Sequence, residues 1–124
     1  MKKLLALAAL SLAVSTGSVL AHGAKPRHGG IVQTVDDLQF ELLNKKGATH
    51  IYVEDHGINY PVNGAKGKLT VLNGAEKTEV ALHPAGDNIL EARGDAKLAP
   101  GAKAVASITF ADKKTVTVRF SVKK

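Results

Sequence analysis

The stretch Thr115-Val116-Thr117-Val118-Arg119-Phe120-Ser121-Val122 decides the fold class. Val116, Val118, Phe120 and Val122 alternate with Thr115, Thr117, Arg119 and Ser121. A period of two places the apolar set on one face of an extended chain and the polar set on the other. One dry face and one wet face are the mark of a strand in an antiparallel sheet. Working back from it, residues 31–35, 38–43, 49–54, 68–72, 79–83, 89–92 and 104–110 read as further short strands, punctuated by Gly, Asn and Asp. Asn73-Gly74 sits between two strand-like runs as a hairpin turn, and residues 111–114 form a polar connector before the last strand. Asn63-Gly64 after Pro61 marks a looser connection, and residues 94–100 hold at most one turn of helix. There is no internal repeat. The expectation is an all-β fold: an antiparallel, Ig-like β-sandwich of about eight short strands, with a small β-barrel as the alternative.

The N-terminal residues read differently. Lys2 and Lys3 precede an apolar run over residues 4–14, and Val19 and Ala21 occupy the −3 and −1 positions of a small-residue cleavage site. The pattern predicts an export signal over residues 1–21, a flexible arm over 22–30 that contains Gly23, Gly29 and Gly30, and a β-sandwich domain over 31–124. Export implies a periplasmic or secreted location. Cleavage after Ala21 leaves 103 of the 124 residues and makes His22 the N-terminal residue. A chain of that size buries roughly 60–70% of its unfolded surface, enough for one core without staples.

Composition limits the chemistry. With no cysteine, neither disulfides nor thiolate ligands are available, and Met1 is the only methionine. Imidazole, carboxylate, amine and backbone groups remain, and these suit Cu(II), Zn, Ni or Co better than Cu(I). Of 17 Lys and Arg, Lys2 and Lys3 leave with the signal, so 15 oppose 11 acidic residues and the mature charge is +4. The lysines occur singly or in pairs, without a basic stripe and interleaved aromatics, which argues against nucleic acid as a partner. No second long apolar run follows the signal, so membrane insertion after its removal is not expected. Gly-x-Ser-x-Gly, His-Glu-x-x-His, P-loop and Gly-x-Gly-x-x-Gly motifs are all lacking, so an enzyme is not expected.

Five histidines carry what chemistry there is: His22, His28, His50, His56 and His83. An N-terminal His22 offers its amine and its ring to one ion as a chelate, a nitrogen set that Cu(II) accepts readily. His28 precedes Gly29-Gly30, which leave it free to fold back beside His22. On a strand, His50 shares a face with Tyr52 and Glu54, while Thr49, Ile51 and Val53 form the better core face. His56 belongs to Glu54-Asp55-His56-Gly57, either a carboxylate-supported ligand or a polar turn. His83 ends a strand before Pro84, opposite Val80 and Leu82. His22 and His28 are the leading ligand candidates, His56 a third, and His50 and His83 follow.

The series His28-Gly29-Gly30-Ile31-Val32, Asp37-Leu38-Gln39-Phe40-Glu41-Leu42 and Ile51-Tyr52-Val53-Glu54-Asp55-His56-Gly57 resembles small exported bacterial proteins associated with heavy-metal efflux and copper resistance. Thr78-Glu79-Val80-Ala81-Leu82, Pro84-Ala85-Gly86 and Val118-Arg119-Phe120 continue the resemblance. The chain is also similar to the N-terminal β-domain of metal-efflux adaptor proteins, without their helical hairpin and further β-domains. The resemblance implies metal association, and a periplasmic efflux adaptor as a partner. The functional expectation is a copper(II) chaperone, buffer or efflux accessory. Its rival is a metal-free interaction module that docks on an envelope or efflux component.

Overall fold

The computed structural model describes residues 25–123, so His22 and the expected signal lie outside the described residues. Among the described residues nine strands follow one another: β1 (Ile31–Val35), β2 (Leu38–Lys45), β3 (Ala48–Asp55), β4 (Ile58–Asn59), β5 (Lys66–Asn73), β6 (Glu76–Pro84), β7 (Ile89–Ala92), β8 (Lys103–Thr109) and β9 (Thr115–Ser121). All pairings are antiparallel and join them into a single sheet in the order β1-β2-β3-β7-β6-β5-β8-β9, with β4 paired to the end of β3. The two ends of this path, β1 and β9, pack against each other. The sheet is thus curled into a nearly closed, barrel-like form. The all-β, antiparallel expectation holds, and of its two architectures the barrel alternative describes the continuous sheet. No helix occurs in the described residues, so the segment 94–100 is an irregular loop, and no helix there is long and apolar enough to cross a membrane.

Alternation builds the interior. Phe40, Leu42, Ile51, Val53, Leu69, Val71 and Leu90 fill one part of it, and Ala104, Ala106, Ile108, Val116, Val118 and Phe120 another; all are buried. Phe110 meets Tyr60 edge-on with ring centroids 5.2 Å apart. Each large side chain fully buried here contributes about 1.5–3 kcal/mol. The alanines of β8 leave room for Phe120, which faces Ala104 across the β8–β9 pair.

Tight turns set the registers. Asp36-Asp37, Lys46-Gly47 and His56-Gly57 all have positive φ at both central positions, the type I′ pattern whose twist matches that of the flanking strands. Gly74 has φ +61° at the first central position of the β5–β6 hairpin, as type II′ requires. The short β4 escaped the sequence reading because two residues carry no periodicity. The buried Asn88 fixes β7 beside β3: its backbone carbonyl accepts the Val53 N–H at 2.9 Å and its amide donates to the Val53 carbonyl at 3.1 Å.

Candidate functional site

The site is built on the outer face of β2 and β3. Core-facing Thr49, Ile51 and Val53 are buried, so alternation turns His50, Tyr52 and Glu54 outward, as the sequence predicts. Register then sets Glu41 of β2 opposite Tyr52, and Leu43 opposite His50. On the other side of β3, Glu91 of β7 stands opposite both His50 and His83 of β6. A row His50–Glu91–His83 therefore crosses three adjacent strands.

Glu41 is an outward-facing carboxylate that is only 5% exposed. Residues 27–30 of the arm fold across it. Its Oε1 accepts the Arg27 N–H at 3.0 Å, and its Oε2 accepts those of His28 at 2.9 Å and Gly30 at 2.7 Å. The ring Nδ1 of His28 lies 2.9 Å from Oε1. Burial pushes the Glu41 carboxyl up, but the His28 ring and the amides of Gly30, His28 and Arg27 together outweigh it, and its pKa ends below the ordinary carboxylate value. Close approach is a condition of this contact. A Cβ on Gly30 would stand 2.2 Å from the Leu42 carbonyl oxygen, so only glycine lets the arm cross β2 so closely.

The His28 ring lies flat on Tyr52, with centroids 3.7 Å apart and planes 11° from parallel. Nearby, Arg27 Nε meets Glu54 Oε1 at 3.2 Å. His28 and His50 share an open depression with Leu43, Lys45, Lys46 and Tyr52. His50 Nε2 is 3.4 Å from one Glu91 oxygen, and His83 Nε2 is 3.8 Å from the other. The Nδ1 of His83 is buried without a hydrogen-bond partner among the described residues.

Of the histidines singled out from sequence, His28, His50 and His83 thus share one face of the sheet. His56 stands apart in the β3–β4 turn at φ +50°. Its N–H donates to Gln39 Oε1 at 2.8 Å, and its Nδ1 is 2.6 Å from Asp55 Oδ1. That hydrogen bond and the Asp55 charge raise its pKa above the ordinary imidazole value. Among the described residues, no three His, Asp or Glu side chains are placed to hold a metal ion by themselves.

Sequence reasoning missed Glu41 and Glu91. Alternation assigns both to the wet face, and although Glu41 lies in the run Asp37–Leu42 that carries the resemblance, nothing in that run marks it as a site residue. The nearest local signal was Gly29-Gly30 after His28, since paired glycines often mark close backbone approach. No protein-family model, curated protein or solved structure matches the chain.

Proposed function

We propose that this chain binds a divalent transition-metal ion outside the cytoplasm, through His28 together with the amine and ring of His22. Copper(II) is the leading ion, with zinc, nickel or cobalt as alternatives. The protein then serves a metal-resistance or efflux system as chaperone, buffer or accessory, with a periplasmic efflux adaptor as its candidate partner. The observation that carries this reading is the His28–Glu41 contact. Metal-ligating histidines characteristically give their second ring nitrogen to a carboxylate, which fixes the ring and strengthens the donor. Here that carboxylate is buried, and Tyr52 holds the plane of the same ring.

The donor inventory supports the choice of ion. Without Cys, and with Met only at position 1, the available ligands are nitrogen and oxygen, which favour Cu(II) and its divalent neighbours. A complete set built on His28 needs a donor from beyond the described residues. His22, six positions upstream, brings two nitrogens if the leader ends at Ala21. His50, in the same depression, is the nearest supplementary ligand.

Native mass spectrometry of protein exported from its own signal, with and without Cu(II) and Zn(II), tests the reading. The expected result is a chain that begins at His22 and retains one ion, lost in His22→Ala and His28→Ala. Retention at micromolar concentration corresponds to about 8 kcal/mol of binding free energy. A different N-terminus, or no ion retained at that concentration, overturns the proposal and turns the search to protein partners.

A further inference from the structure

We infer that Glu41 is the positioning residue of this site: it holds His28 with the proton on Nδ1 and Nε2 presented as the donor, and it ties that presentation to docking of residues 27–30. The inference rests on the metal reading for its consequence, but its geometry stands without an ion.

An ionised carboxylate can only accept hydrogen bonds. A 2.9 Å contact between Glu41 Oε1 and His28 Nδ1 therefore requires the proton on Nδ1. In a neutral imidazole the lone pair then resides on Nε2, which has no hydrogen-bond partner among the described residues. The parallel Tyr52 ring removes the remaining freedom, rotation of the imidazole out of its plane.

The same two oxygens also receive the Arg27, His28 and Gly30 amides. Glu41 consequently reaches the ring only while the arm lies on the sheet, so ring orientation and arm docking are one event. An ion that prefers the oriented ring must tighten the arm by the factor by which docking tightens the ion, because coupling free energy is reciprocal. Arg27–Glu54 is a lesser anchor. Its Arg27 side chain is 58% exposed and its Glu54 side chain 14%, so solvent screens the pair on the arginine side.

Long-range proton–nitrogen NMR of the ring in labelled, ion-free protein reads the tautomer directly. Wild type is expected to show Nδ1–H, and Glu41→Gln, whose amide carries no charge, a loss of that preference. Calorimetric titration with Zn(II) should then show about 10- to 100-fold weaker binding in Glu41→Gln, the usual cost of losing an outer carboxylate. Glu54→Ala loosens Arg27 without touching the ring and should keep the wild-type tautomer, with a smaller loss of affinity than Glu41→Gln. Should Glu41→Gln fail to fold, Glu41→Asp retains the charge while withdrawing it by one methylene, and an affinity between those of wild type and His28→Ala is expected. An Nε2–H tautomer in wild type overturns the inference, as does unchanged affinity in Glu41→Gln. Wild-type protein that takes up no Zn(II) or Cu(II) refutes the metal function instead, and the tautomer spectrum still decides the role of Glu41.

Discussion

Replacing Glu41 with alanine removes the one acceptor shared by three arm amides and the His28 ring. Hydrogen bonds to a charged group contribute about 1.5–3 kcal/mol each, so the four together amount to roughly 6–12 kcal/mol. Ordering residues 27–30 costs about 1–2 kcal/mol per residue, or roughly 4–8 kcal/mol. Taken at their midpoints, about 9 against about 6 kcal/mol, the two leave roughly 3 kcal/mol as the docking free energy of the arm, which corresponds to on the order of 100-fold protection of the amides involved. Native-state hydrogen exchange is the assay. In wild type, the Arg27, His28 and Gly30 amides should be protected to that extent, opening locally without unfolding the sheet. In Glu41→Ala they should exchange near the rate of an unstructured chain. Core amides such as Ile51, which follow global unfolding, should lose no more than the docking free energy. A loss of that size lies below the roughly 5–15 kcal/mol that holds a domain of this kind together, so the variant should remain folded. If the three amides stay protected in Glu41→Ala, the arm is held by other contacts and the reasoning from its carboxylate fails.

Gly30→Ala places a methyl group 2.2 Å from the Leu42 carbonyl oxygen. It should lift the arm, abolish the ring-current shift that Tyr52 imposes on His28, and cost about 1–3 kcal/mol in a denaturant titration. Phe40, fully buried on β2, should cost about 3–5 kcal/mol when replaced by alanine, with the denaturation midpoint lowered and the slope retained. His56 should titrate above an ordinary imidazole in an NMR pH series, and Asp55→Asn should bring it back toward that value. The sign follows from the raised folded pKa. Whatever His56 contributes to stability is present below the unfolded imidazole value and lost as pH rises through the folded one, and Asp55→Asn should reduce that pH dependence, with the Asp37 charge retaining the remainder.

Much of the barrel was legible because its signals are local. The alternation in Thr115–Ser121 is the burial pattern of β9, with Val116, Val118 and Phe120 inside. The same rule turned His50, Tyr52 and Glu54 outward on β3. Turn chemistry did the rest: Asn73-Gly74 marked the β5–β6 hairpin, where Gly74 carries positive φ. Strand ends ran beyond the sequence estimate at β2, β3, β5 and β6, where pairing with a neighbour extends a strand past its apolar residues.

Sequence alone determined the all-β class, the inward and outward faces of its strands, and a donor set without thiolates, because each depends on residue type and on spacings of a few positions. The tertiary structure decided which outward side chains meet. Glu41 and His28 are 13 positions apart and come together only because the arm folds back over β2. His50 and His83 reach the two oxygens of Glu91 only because β7 inserts between β3 and β6. Alternation assigns a residue to a face but is silent about its cross-strand neighbour. That neighbour is set by strand order and by chain that covers the sheet, both outcomes of burying the whole core at once.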